Sequence, residues 1–134
     1  MYALVITTSV LNLMFFVSGV DKVAHFNKVV TGLRNRLGSV ALPVMLVRLM
    51  IGCAIVIELV APMVILKASL DRSQRNDRLA TYASASLVVF TVLATLLYHF
   101  PPSTSAKYYP FMSNLSAVGG LSLMGCVFHW NLLK

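Results

Sequence analysis

Apolar residues arrive along this chain in four long runs separated by short polar stretches. Residues 3–20, 40–66, 79–100 and 111–133 lie close to or beyond the roughly 20 residues a helix needs to cross a bilayer. A segment in lipid must satisfy its backbone internally, so each run reads as a helical span. The first run sits at the short limit, and the pattern predicts that it continues past Asp21 and Lys22. The second is the longest, and only Arg48 and Glu58 carry charge within it. Residues 21–39 are too polar to span. There Val23, Phe26, Val30, Leu33 and Leu37 recur at three- and four-residue steps, within about 80° of one another around a helix. This predicts an amphipathic helix. It either lies in the headgroup plane with its basic side chains snorkelling outward, or packs on the bundle as an ordinary connection. Gly38 is suited to end it and Pro43 to open the next span. Residues 67–78 and 101–110 read as loops, the first well charged and solvated. The fold class expected is an all-α, integral membrane four-helix bundle in one domain, residues 1–134, with an amphipathic interfacial helix between spans 1 and 2.

Composition supports the membrane class. Charged residues make up 11% of the chain, against about 25% in a soluble domain. The net charge of +7 would favour nucleic acid in a soluble protein. Here the basic residues lie between apolar runs, so anionic lipid headgroups are the expected partner and nucleic acid is not. No basic stretch precedes the first run and no A-x-A-like site follows it, so a retained span is expected rather than a cleaved signal peptide. Four spans put both termini on one side. Tyr2, Tyr82 and Trp130 then mark that surface, and Tyr98, Tyr108 and Tyr109 the other. Lys67, Arg72, Arg75, Arg78 and Lys134 on the first side balance Lys22, Lys28, Arg34, Arg36 and Lys107 on the second. Only the denser cluster in the shorter loop favours the first side as cytoplasmic or matrix.

The polar residues inside the spans carry the candidate chemistry. A charge at the centre of a span costs roughly 2.5–3.5 kcal/mol on insertion scales, so it should face other helices. Arg48 and Glu58 are separated by about 15 Å along a helix and about 80° around it, so each needs a partner elsewhere. Asp21 is the expected partner of Arg48. Glu58 falls at the depth of Asn12 and Ser86. It reads as a hydrogen-bonded packing node, neutral if no cation reaches it, with a proton or quinone-headgroup site and a subunit contact as alternatives. Asn12 reads as an interhelical hydrogen bond. Pro62 frees the Glu58 carbonyl and predicts a kink. Small residues at Thr81, Ala83, Ser84, Ala85 and Ser86, and at Ser116, Gly119 and Gly120, predict close helix packing. Cys53 and Cys126 form no CxxC and no zinc pattern. His99 and His129 fall at opposite surfaces, and His25 lies in the polar connection, so a bis-histidine haem is not expected. No catalytic constellation, metal site or cofactor is expected; a quinone or structural lipid is the alternative.

Four stretches carry a resemblance. FFVSGVDKVAHF at residues 15–26, IGCAIVIELVAPMVIL at 51–66, VLATLLYHF at 92–100 and FMSNLSAVGGLSLM at 111–124 resemble, in order and spacing, the four spans of the DoxX-like family of small membrane proteins. By position the resemblance carries over Lys22, Glu58, His99 and Asn114 as recurrent polar residues. It implies a non-catalytic accessory subunit or assembly factor of a larger, respiratory-type complex, in the mitochondrial inner membrane or a bacterial cytoplasmic membrane. The alternative it implies is a quinone- or proton-linked redox subunit using Glu58. The CxxC of some relatives is missing, which speaks against a thiol-redox role.

Overall fold

The computed structural model describes residues 2–38 and 42–133, with side chains from residue 4 onward. The expectations for Val40, Lys134 and the Tyr2 side chain therefore lie outside the described residues. Five helices follow in order: α1 (Tyr2–Ala24), α2 (Phe26–Arg36), α3 (Val44–Leu70), α4 (Gln74–His99) and α5 (Ser105–Leu132). Four of them, α1, α3, α4 and α5, are long and apolar enough to cross a membrane. The protein is an all-α, integral membrane four-helix bundle.

Three spans are longer than their apolar runs and α3 keeps the length of its run but lies four residues later, because once a helix is nucleated each flanking residue it takes in adds a backbone hydrogen bond. The expected twelve-residue loop after span 2 shrinks to residues 71–73. Ser73 caps α4 by accepting from the Asn76 N–H at 3.2 Å, and the Asn76 amide donates to Asp71. Such a cap satisfies one of the orphan N–H groups of the first turn and is typically worth about 1 kcal/mol. Arg72 forms a two-bond pair with Asp77 at 3.0 and 3.2 Å and stacks over Phe128. The charged turn is therefore locked onto α5 rather than simply solvated. Likewise the second loop ends at Thr104, where α5 begins. Helix α3 runs unbroken through Pro62, which is buried.

Two apolar clusters divide the bundle lengthwise. One joins Phe15 of α1 to Ala61, Ile65 and Ala68 of α3, Leu87 of α4, and Leu121 and Phe128 of α5. The other joins Val30 and Leu33 of α2 to Val47 and Ile51 of α3, with Tyr98 against it. Thus α1 covers the C-terminal half of α3 and α2 covers the N-terminal half. The stripe on α2 is packed on the bundle, the second of the two readings its spacing allowed. Its end is tied to α4: Arg36 donates to the Tyr98 carbonyl at 2.8 Å and stacks on that ring. That carbonyl is one of the last four of α4, which have no partner within the helix.

Glycine sets two of the helix contacts. A Cβ on Gly19 would lie 2.9 Å from Leu59 Cδ2 and 3.2 Å from Glu58 Cβ, so the missing side chain lets α1 close on α3. A Cβ on Gly120 would lie 3.2 Å from Leu11, at the contact of α5 with α1. Gly119 and Ser116 do not share in that contact. Both are exposed, and a Cβ on Gly119 would meet nothing within 4 Å. On α4, Ala80, Ala83, Ser84 and Leu87 form the buried face, while Ala85 and Ser86 point outward.

Candidate functional site

The site begins with helix register. Because α1 runs on to Ala24, Ser18 and Lys22 stay four residues apart on one helical face. The Gly19 approach brings that face to Glu58. Lys22 Nζ donates to Glu58 Oε2 at 2.7 Å, to Oε1 at 2.8 Å and to Ser18 Oγ at 2.6 Å. Ser18 Oγ in turn donates to Glu58 Oε1 at 3.1 Å. The Glu58 side chain is 3% exposed and that of Lys22 22%. Lys22 also lies 6.0 Å from the centroid of the Phe90 ring, on α4.

Beside this pair is a cavity of about 820 Å³, within the range of small-molecule sites. All five helices line it. Its wall is mostly apolar, with Phe15, Ile57, Phe90 and Leu93 among the contributors. Ser18, Lys22 and Glu58 supply one polar group. Tyr98, His99 and Asn114 supply another. Asn114 donates to Thr95 Oγ1 at 3.0 Å, one turn before His99 on α4. Leu49, Cys53 and Leu93 of the lining are exposed, so the cavity is open rather than sealed.

The cavity gathers Lys22, Glu58, His99 and Asn114. Asn12, Asp21 and Arg48 are elsewhere, and three expectations about them change. Asp21 does not meet Arg48. It is exposed and pairs with His25, four residues on, at 3.0 Å. Arg48 is exposed and has no hydrogen bond or ion pair among the described residues. Asn12 does not reach Glu58: it donates to the Thr8 carbonyl at 2.8 Å, and its Oδ1 is buried without a partner. Ser86 bonds its own helix at Tyr82 and is exposed. The common cause is depth. Independent runs of equal span place Lys22 at one surface and Glu58 nearer the other. The Gly19 contact instead shifts α1 so that Lys22 lies level with the middle of α3.

Sequence reasoning missed Ser18 and Phe90. Ser18 had a usable signal, a small hydroxyl four residues before a lysine at the end of an apolar run. Phe90 had none, being one apolar residue among many. Among the described residues, no group of three or more His, Cys, Asp or Glu side chains is placed to hold a metal. Cys53 and Cys126 are free and exposed. Compared with family patterns, characterised proteins and solved structures, the chain matches none. The site is therefore read from its own residues.

Proposed function

We propose that this integral membrane protein holds a lipophilic molecule in the cavity beside the Lys22–Glu58 pair. The observation that carries the reading is an ion pair, its carboxylate buried and its ammonium protons all hydrogen-bonded, on the wall of a large apolar space. As a stability device such a pair is poor, because well-packed apolar residues in its place are often neutral or better. The space beside it is open and mostly apolar and is lined by all five helices, as small-molecule sites between helices are. Together they describe a place built to receive something. The test is to extract the protein into polymer-bounded discs of its own membrane and identify bound lipophiles by mass spectrometry. Wild type should carry one species enriched over bulk lipid. Ala94→Phe, which puts a ring into the cavity lining, should lose at least five-sixths of it while keeping its helical circular-dichroism spectrum. Equal recovery from both would refute the reading. Recovery of a quinone would favour the redox-linked subunit.

A second reading, the DoxX-like accessory subunit or assembly factor of a respiratory-type complex, is favoured by the outer face of α5. Ser116, Gly119, Ser122 and Cys126 are exposed there, and the two serine hydroxyls are turned into their own helix at Met112 and Val118. That smooth face suits close approach by another helix. Co-migration with a large complex on native gels supports it, and migration alone opposes it. Anionic headgroups suit the exposed cations Lys28, Arg34, Arg36 and Arg48.

A further inference from the structure

We infer that the cavity takes an uncharged lipophile, and that its polar group is held by Tyr98, His99 and Asn114 rather than by the Lys22–Glu58 pair. The inference rests on the lipophile-binding reading above and adds the charge class and the anchoring end.

The ion pair has no donor left to offer a ligand. A lysine ammonium has three protons. Those of Lys22 have three acceptors within 2.8 Å, the two Glu58 oxygens and Ser18 Oγ. Ser18 spends its own proton on Glu58. The group is closed, and its net charge is zero. The other polar side chains of the lining, Thr91, Tyr98, His99 and Asn114, carry no permanent charge. A ligand with a full charge would leave water for an apolar wall that offers no free counter-charge, and that desolvation is unfavourable. An uncharged molecule avoids it.

The other end of the cavity is different. Thr91 and Thr95 donate to the carbonyls of Leu87 and Thr91, so their protons are committed. Asn114 gives one amide proton to Thr95. Its Oδ1, the Tyr98 hydroxyl and the His99 ring have no hydrogen bond among the described residues, and all three residues are half-buried on the cavity wall. They offer both donors and acceptors, which is what an alcohol, ketone or other neutral head requires. Arg36 lies outside the lining and is engaged with the Tyr98 carbonyl and ring.

The test uses three photoreactive probes with one alkyl chain and different heads: a primary alcohol, a carboxylic acid and a quaternary ammonium. Each is crosslinked to the wild-type protein in phosphatidylcholine nanodiscs, and adducts are mapped by peptide mass spectrometry. The alcohol should label cavity residues at least fivefold more than either charged probe, and excess unlabelled alcohol should suppress this. Labelling at exposed Leu115, outside the cavity, should not depend on the head. His99→Leu with Asn114→Leu should lower cavity labelling by the alcohol at least fivefold. Lys22→Met with Glu58→Leu should leave it within twofold. Preference for the acid or the ammonium at the cavity overturns the charge class while leaving lipophile binding intact. Labelling lost only in the Lys22/Glu58 variant overturns the anchoring end. Absence of cavity labelling by any probe overturns the binding reading itself. The competition measurement on wild type stands whether or not a variant folds.

Discussion

Removing the Lys22 ammonium is the sharpest test of the bundle's centre. Lys22→Met keeps the length of the side chain and deletes two charge-assisted bonds to Glu58. At about 1.5–3 kcal/mol each, their loss amounts to about 3–6 kcal/mol. Loss of the cation over the Phe90 ring, at 6.0 Å, adds at most about 1 kcal/mol. The carboxylate left behind is 3% exposed and keeps only Ser18, which agrees with the 3–5 kcal/mol typical of stranding one member of a buried pair. Glu58→Leu should also destabilise, because it strands the ammonium instead. Lys22→Met with Glu58→Leu should return to within about 2 kcal/mol of wild type, since an apolar pair leaves no buried charge. Equilibrium unfolding in mixed micelles, read by tryptophan fluorescence at Trp130, gives all four corners of the cycle. A coupling of about 3 kcal/mol or more between the two sites is expected. Additive single losses would refute the pair as the structure draws it.

Four further outcomes follow from particular contacts. Gly19→Val should lower stability by about 1–3 kcal/mol through overpacking at Leu59 and Glu58, whereas Gly119→Ala, facing open space, should leave the thermal midpoint unchanged or slightly raised. In a background lacking Cys53 and Cys126, single cysteines at Asp71 and Ser103 should react with an impermeant maleimide from opposite faces of a vesicle, because α4 separates their turns. Arg36→Ala should cost about 1–2 kcal/mol in the same unfolding assay, since it removes a charged donor from the end of α4. The double cycle of Asp21→Asn and Arg48→Leu should be additive within about 0.5 kcal/mol, because those side chains do not meet.

The four spans were legible because lipid demands long apolar runs and internal backbone bonding, and both leave their mark on composition. The polar positions Lys22, Glu58, His99 and Asn114 were visible as residues, two of them costly to place in lipid. Their meeting was not visible. It depends on which helix slides past which, and that is decided by Gly19 fitting over Leu59, a contact between two residues that look ordinary in the chain. Assigning depth by counting from each span's own end placed Lys22 too high and chose Asp21 for Arg48. The turn at residues 71–73 was hidden for a related reason. The charges of residues 67–78 read as solvent, yet Arg72 and Asp77 neutralise each other against Phe128 and let both helices continue.

The partners Lys22 and Glu58 are 36 residues apart in the chain, and this has a bearing on biogenesis. As the nascent chain emerges, α1 reaches the translocon before α3, with an ammonium near its C-terminal end and Glu58 not yet synthesised. A lysine at the centre of a span opposes entry by roughly 2.5–3.5 kcal/mol on insertion scales, and Lys22, near the end of α1, opposes it by less. The penalty falls only once α3 arrives and Glu58 can neutralise it. The first helix is thus expected to wait at the membrane boundary and settle beside its partner late, as a hairpin with α3. Chains truncated before Glu58 should show poor integration of α1 in a glycosylation-reporter assay, and chains extended through Leu70 should recover it.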